Sequence, residues 1–318
     1  MTDLPLDQVR TLLAVVDEGT FDAAAAALHL TPSAVSQRVK ALEQRTGRVL
    51  LLRTKPVRPT ESGDIVVRFA RQLARLEHDT RAELGMSGAG EPTRVTVAVN
   101  ADSLATWFLP ALSRVPQEPP LAFELRREDE TRTAELLREG LVMAAVTSSP
   151  EPVTGCSVRP LGRMRYVAAA SPAFTARHLT GTPLGAALAR APLIVFDRSD
   201  DLQDGFLRRL RADVASGGAA AGPGADSPDG PVGPGGGVRH AVPTSEGFLD
   251  AVAAGLGWGM VPEAQAGDLL AAGGLVELAP GRPLDVPLYW QQWKLDSPAL
   301  AAVADAVAAT AAESLRQP

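Results

Sequence analysis

Residues Phe21 to Lys40 read FDAAAAALHLTPSAVSQRVK, a stretch that fixes local geometry more narrowly than any other in the 318-residue chain. An alanine run with almost no side-chain volume is followed by a break at His29-Leu30. Thr31-Pro32 then supplies a cap and a first-turn proline for a second helix. Two short helices joined this tightly make a helix-turn-helix, whose second helix enters a DNA groove. Between Arg38 and Arg58, seven basic residues (Arg38, Lys40, Arg45, Arg48, Arg53, Lys55, Arg58) stand against one acid, Glu43. The segment is therefore locally about +6 within a chain of formal net charge -6. Double-stranded DNA is the first partner this implies.

Residues 1 to 85 hold twelve Lys/Arg against eleven Asp/Glu; subtracting these from the totals of 31 and 37 leaves nineteen against twenty-six in the rest. An acidic remainder repels phosphate, so nucleic-acid contact should be confined to the N-terminal module. The length and 45% hydrophobic content allow two or more cores. One cysteine, Cys156, excludes an intrachain disulfide framework, and no apolar run approaches the ~20 residues of a bilayer span. The opening MTDLPLDQVR has no signal-peptide apolar core, so the expected location is the cytoplasm, with no membrane partner.

Leu4, Leu6, Val9, Leu12, Leu13 and Val16 recur at helical spacing up to Gly19, and Thr20 is placed to cap the next helix. In the third helix Val35, Val39 and Leu42 should face the core. Ser33, Ser36, Gln37 and Lys40 are then left on or beside the outward surface. Serine and glutamine can bond to base edges or phosphates, and Arg38 and Lys40 supply phosphate charge; a merely solvated face is the alternative. After Gly47, Val49 to Arg53 reads as a strand, Thr54 to Pro59 as a basic turn, and Thr60 to Gly63 as a return to helix. This is a wing whose Arg53, Lys55 or Arg58 can reach phosphates or the minor groove. A helix from Ser62 to Leu84 carries Ile65, Phe69, Leu73, Leu76, Thr80 and Leu84 along one side. Either a second copy or the chain's own C-terminal domain must cover that stripe.

Gly85 to Thr93 is a hinge by composition, after which strands and helices alternate: Val95 to Val99, Leu104 to Leu112, Leu121 to Leu125, Thr131 to Arg138, Leu141 to Val146, Leu193 to Phe196. Such alternation implies an α/β fold with an open sheet, binding ligands at strand carboxyl ends. Asn100 to Ser103 and Thr147 to Ser149 are the two candidate edges. The four histidines are scattered, and HExxH, CxxC, GxSxG, GxGxxG and GxxxxGK[ST] are all missing, so no enzyme, metal or cofactor is expected. Gly217 to Gly237 is low-complexity and interrupts the domain. The glycines around Trp258 allow close backbone approach, to a ligand or to a neighbouring strand.

Thr31-Pro-Ser-Ala-Val-Ser-Gln-Arg-Val-Lys-Ala-Leu-Glu43, Leu-Leu-Leu-Arg-Thr54 and Pro59-Thr-Glu-Ser-Gly63 resemble the LysR-type transcriptional regulators. Asn100 to Trp107, Ala145 to Thr147, Gly155-Cys156, Arg198 to Gln203, Gly257 to Pro262 and Leu288 to Trp293 resemble their lysine- and arginine-responsive branch, which includes activators of basic amino-acid exporters. The resemblance implies a winged helix-turn-helix head (1–61), a dimerising linker helix (62–86) and a two-lobed α/β effector domain (93–318) like periplasmic binding proteins. Lobe I would span about 93–168 and 263–300, and lobe II about 169–262, with crossings near Ala168 and Pro262. It also implies a homodimer, a tetramer on DNA and contact with RNA polymerase. Family DNA positions map onto Pro32, Ser33, Ser36, Gln37 and Arg53. With Thr31, Arg38, Lys40, Lys55 and Arg58 they make the expected DNA-contact set.

The residues agree on ligand class. A zwitterionic amino acid needs donors for its carboxylate, available from Ser103 and Thr147, and acids for its ammonium groups, available from Asp102, Glu246, Asp200 or Asp201. Thr244 and Ser245 complete the expected effector set, with lysine or arginine as the small-molecule effector. The alternatives are a regulator with a different effector, or an architectural DNA-binding protein of broad sequence preference.

Overall fold

The computed structural model describes residues 4–86, 92–116, 118, 120–128, 130–217 and 237–317. Most of the expected hinge and of the low-complexity stretch lies outside these residues. The chain divides into two compact units. The first comprises Met1–Asn100, Pro110–Pro160 and Tyr289–Thr310; the second comprises Ala101–Leu109, Leu161–Leu288 and Ala311–Pro318.

The head of the first unit begins with α1 (Leu6–Glu18), α2 (Phe21–Ala27) and α3 (Pro32–Thr46). Local signals set each boundary. Gly19 and Gly47 end α1 and α3 at positive φ (72° and 66°), and Thr20 and Thr31 accept the amides of Ala23 and Ala34. Ala24 and Ala25 are buried against Val9, Leu12, Val35 and Val39, so the small side chains of α2 let three helices close on one core. The wing is shorter than the sequence pattern suggests. Only β1 (Leu51–Leu52) and β2 (Arg58–Pro59) pair, because Glu43 Oε1 accepts the Leu50 and Leu51 amides (2.8 and 3.3 Å) at the approach to β1.

Helix α4 (Glu61–Glu83) starts at Thr60, whose hydroxyl accepts the Gly63 amide. Its two sides differ. Val66, Val67 and Ala70 are buried in the head core, and Arg75 is 8% exposed. Arg75 meets Asp79 (3.0 and 2.9 Å), the Arg94 carbonyl (2.9 Å) and the Ser297 hydroxyl (3.2 Å). On the other side Ile65, Phe69, Leu76 and Leu84 are exposed, so most of the expected apolar stripe stays uncovered within the chain.

The rest of the first unit is a sheet in which β3 (Thr93–Val99) lies between parallel β4 (Leu121–Arg127) and β5 (Ala144–Thr147). Helix α7 (Glu130–Glu139) connects these two outer strands. It follows α5 (Ala101–Ser103), a π-helical turn at Leu104–Phe108, and α6 (Leu109–Ser113).

The chain passes between units along β6 (Cys156–Ala170), at Pro160/Leu161, and returns at Leu288/Tyr289.

In the second unit α8 (Pro172–His178), α9 (Leu184–Arg190), β7 (Leu193–Val195), α10 (Leu202–Gly217), β8 (Arg239–Ala241) and α11 (Ser245–Ala253) follow in order. After them come β9 (Gly259–Pro262), α12 (Glu263–Ala271) and β10 (Val276–Glu277). β9 and β10 each pair antiparallel with β6, and β7 pairs parallel with β8. β11 (Leu284–Trp293) reaches the first unit antiparallel to β5, and α13 (Pro298–Ser314) follows it.

The glycines near Trp258 serve packing. The indole is fully buried with Nε1 donating to the Leu188 carbonyl at 3.1 Å, and a Cβ at Gly259 would lie 2.6 Å from the Phe248 ring. Cys156 is buried, which pushes its thiol up to about 11 and leaves it protonated at neutral pH.

Two glycines make a paired test of this packing. A Cβ at Gly63 would fall 2.0 Å from the Leu50 carbonyl oxygen, whereas one at Gly267 meets nothing within 4 Å. Gly63→Ala should destabilise the head by about 1–3 kcal/mol or more, and Gly267→Ala should stabilise by about 0.5–1 kcal/mol. Thermal unfolding of both variants checks the contrast; equal midpoints would contradict it.

Candidate functional site

In the head, α3 presents Ser33, Gln37 and Lys40 to solvent, with Ser36 half-buried between them, while Val35, Val39 and Leu42 face inward. This follows from the 3.6-residue period: 33, 36, 37 and 40 share one side. Thr31 and Pro32, both exposed, open the helix, and the Thr31 hydroxyl lies 3.0 Å from that of Ser33.

Arg38 departs from expectation. Its guanidinium is directed to α1, with Thr11 Oγ1 at 3.4 Å and Asp7 Oδ2 at 3.7 Å. At about 100° per residue it falls outside the side carrying Ser33, Gln37 and Lys40, with its side chain 38% exposed.

Arg53, Lys55 and Arg58 are all exposed on the wing. The loop that carries them is fixed at its base. Val57 is buried with its amide on the Gly19 carbonyl (2.8 Å), and the Arg53 guanidinium lies 5.6 Å from the centre of the Phe21 ring. The one acid of this basic stretch, Glu43, is turned to backbone amides and so does not face the wing bases Arg53, Lys55 and Arg58.

In the second unit a polar cluster forms around Asp102. Tyr166 donates to Oδ2 at 2.6 Å, and Ser245 donates to Oδ1 at 2.6 Å with the Gln265 amide oxygen at 2.9 Å as a second acceptor. Burial pushes the Tyr166 phenol well above the usual tyrosine range, reinforced by the charge of Asp102 and, more weakly, that of Asp200. It is therefore a fixed donor at neutral pH. The next residue, Ser103, is fully buried and its hydroxyl has no partner among the described residues. The π-helical turn begins immediately after it, a distortion often found at functional sites.

The other expected effector residues separate. Asp200 accepts the Phe196 amide at 2.7 Å and the Leu202 amide at 3.1 Å; burial pushes its carboxyl above the usual carboxylate range while these two bonds oppose the rise. Thr244 caps α11 by accepting the Gly247 amide. Glu246 is exposed in the first turn of α11, and Asp201 is exposed with Arg208 at 4.0 Å. Thr147 belongs to the first unit, at the end of β5, and accepts the Ser149 amide at 3.1 Å. Tyr166 and Gln265 were missed by sequence reasoning. Nothing near them in sequence marks a site, since Tyr166 reaches Asp102 across 64 positions.

Among the described residues no group of His, Cys, Asp and Glu could hold a metal ion, and no helix is long and apolar enough to cross a membrane. Residues 6–64 match the family described as bacterial regulatory helix-turn-helix protein, lysR family, and residues 88–312 match the LysR substrate binding domain. The lysine export transcriptional regulatory protein LysG of Corynebacterium glutamicum is 43% identical over 311 residues, 97% of this chain and 98% of that protein. Full-length LysG of that organism with bound effector Arg aligns at a TM-score of 0.81 and 41% identity, covering 98% of this chain and 99% of that one. The crystal structure of ArgP from Mycobacterium tuberculosis aligns at 0.85 and 45%, covering 98% of each chain. With both segments matched and relatives above 40% identity along nearly the whole length, the chain belongs to the LysR family of bacterial helix-turn-helix regulators.

Proposed function

We propose that this chain reads operator DNA through its head and is gated by a basic amino acid, lysine or arginine, bound to its effector domain. The observation that carries the ligand class is the Asp102 carboxylate, oriented by the Tyr166 phenol and the Ser245 hydroxyl, next to the buried hydroxyl of Ser103, which has no partner among the described residues. A carboxylate matches a cationic side chain or α-ammonium, and a hydroxyl donor matches an α-carboxylate. The Corynebacterium relative named for lysine export, and its arginine-bound structure, support the same class. In this reading Ser103 is a carboxylate contact, Asp102 the principal ammonium contact, and Ser245 its positioning partner. The head spans 1–61, the linker 62–86 and the effector domain 93–318. The protein acts in the cytoplasm as a dimer, assembles to a tetramer on DNA, contacts RNA polymerase and activates a basic amino-acid exporter gene.

An effector regulates only through unequal affinity for two protein states. Calorimetry on the full chain with lysine, arginine, leucine and glutamate should give saturable heat with one or both basic amino acids only. Asp102→Asn and Ser103→Ala should weaken that binding by about 1.5–3 kcal/mol and about 0.5–1.5 kcal/mol. Heat from leucine or glutamate alone would overturn the ligand class.

For DNA, Ser36→Ala or Gln37→Ala should cost about 1–3 kcal/mol of discrimination between operator and scrambled duplex. Lys55→Ala should weaken both complexes alike and reduce the salt slope by about 1. Arg38→Ala, whose guanidinium is turned to α1, should leave that slope unchanged. Titrations at several salt concentrations measure all three, and equal affinity of the parent for both duplexes would favour the architectural reading.

Assembly is read from α4. Replacing exposed Phe69 and Leu76 together with glutamate should shift the protein toward monomer in sedimentation velocity and weaken operator binding. An unchanged sedimentation coefficient would exclude this face as the dimer contact.

A further inference from the structure

A cavity of about 380 Å³ opens in the second unit where α12 begins, lined among others by Trp107, Arg163, Arg165, Glu263, Gln265 and Arg316. From its lining we infer that this cavity is a second ligand site, separate from the proposed effector contacts, and that it takes a small oxyanion, a carboxylate or phosphate group.

Charge is the first ground. Arg165 holds Asp285 in a two-bond fork (2.8 and 3.0 Å), and Arg316 holds Glu263 at 3.0 Å. Three guanidinium groups against these two carboxylates leave one positive charge, that of Arg163, which makes no side-chain ion pair among the described residues. Neutralised by Arg316, Glu263 does not repel an anion from the cavity mouth.

Unused donors are the second ground. Helix α12 is nine residues long and begins at Pro262, which offers its first-turn amides no side-chain cap. Uncapped amides at the positive end of a helix are an anion-binding arrangement. Independently, Trp107 lines the same cavity at 4% exposure, and its indole Nε1 is buried with no acceptor among the described residues. A buried donor of this kind costs stability until an acceptor arrives, and an oxyanion supplies acceptors to the indole, the amides and Arg163 together. Gln265 lines the cavity and also meets Ser245, so an occupant there adjoins the Asp102 cluster. The site does not rest on the identity of the effector.

The test uses the full chain labelled with 5-fluorotryptophan. Its four tryptophans give four fluorine resonances, with Trp107 assigned by its loss in Trp107→Phe. Sodium phosphate and sodium acetate are titrated separately against sodium chloride at matched ionic strength. The Trp107 resonance should move saturably with phosphate, acetate or both, and which anion acts identifies the preferred group. Exposed Arg163, replaced in Arg163→Gln, should raise the apparent Kd about tenfold without moving the resonance in the unliganded protein. No saturable movement with either anion, or unchanged affinity in Arg163→Gln, would overturn the site. Adding arginine to the same sample reads effector binding on its own, so the two readings fail separately.

Discussion

The guanidinium of Arg75, 8% exposed, must be paired and hydrogen-bonded where it sits, because a buried charge without partners costs several kcal/mol. Asp79 takes one edge of its fork, the Arg94 carbonyl and the Ser297 hydroxyl the rest. Those partners come from α4 itself, from β3 and from the residue before α13, so one side chain ties the linker helix to the sheet of the first unit. Arg71 adds a bond to the Glu139 carbonyl at 2.7 Å and an ion pair with Asp17 at 2.6 Å, and His78 meets Thr93. With that side of α4 committed to the chain's own sheet, the opposite side keeps Ile65, Phe69 and Leu76 in solvent.

Electrostatics in the head follow a similar division of labour. Acids that would neutralise the basic surface are engaged elsewhere: Glu43 on the amides before β1, Asp7 facing Arg38, Asp17 on Arg71 and Glu77 on Arg10. Lys40, Arg48, Arg53, Lys55 and Arg58 are exposed and make no side-chain ion pair among the described residues, which leaves them the positive charge that counterion release requires. Net charge near zero over residues 1 to 85 conceals this, because it is the placement of each acid that decides the local field.

In the second unit, polar groups divide between holding the fold and facing a ligand. Thr244 uses its hydroxyl to begin α11, and Asp200 accepts two backbone amides. Asp102, by contrast, accepts only hydroxyl protons, from Tyr166 and Ser245, which orient the carboxylate without cancelling its charge. Ser103 retains an unused hydroxyl one residue away.

The three-helix head was legible in the sequence to within about a residue, because its signals are local: Thr20, Thr31 and Thr60 bond to amides three residues on, and Gly19 and Gly47 adopt the positive φ that ends a helix. The periodicity of Val35, Val39 and Leu42 settled which side of α3 is outward. The direction of Arg38, the shortness of the wing strands, and the recruitment of Tyr166 and Gln265 were decided by tertiary structure alone. Each depends on a neighbour far along the chain: Thr11 for Arg38, Asp102 for Tyr166 and, through Ser245, for Gln265. Caps and periodicity act through bonds spanning a few residues, whereas a site is made by side chains whose separation is set only when distant strands and helices have packed.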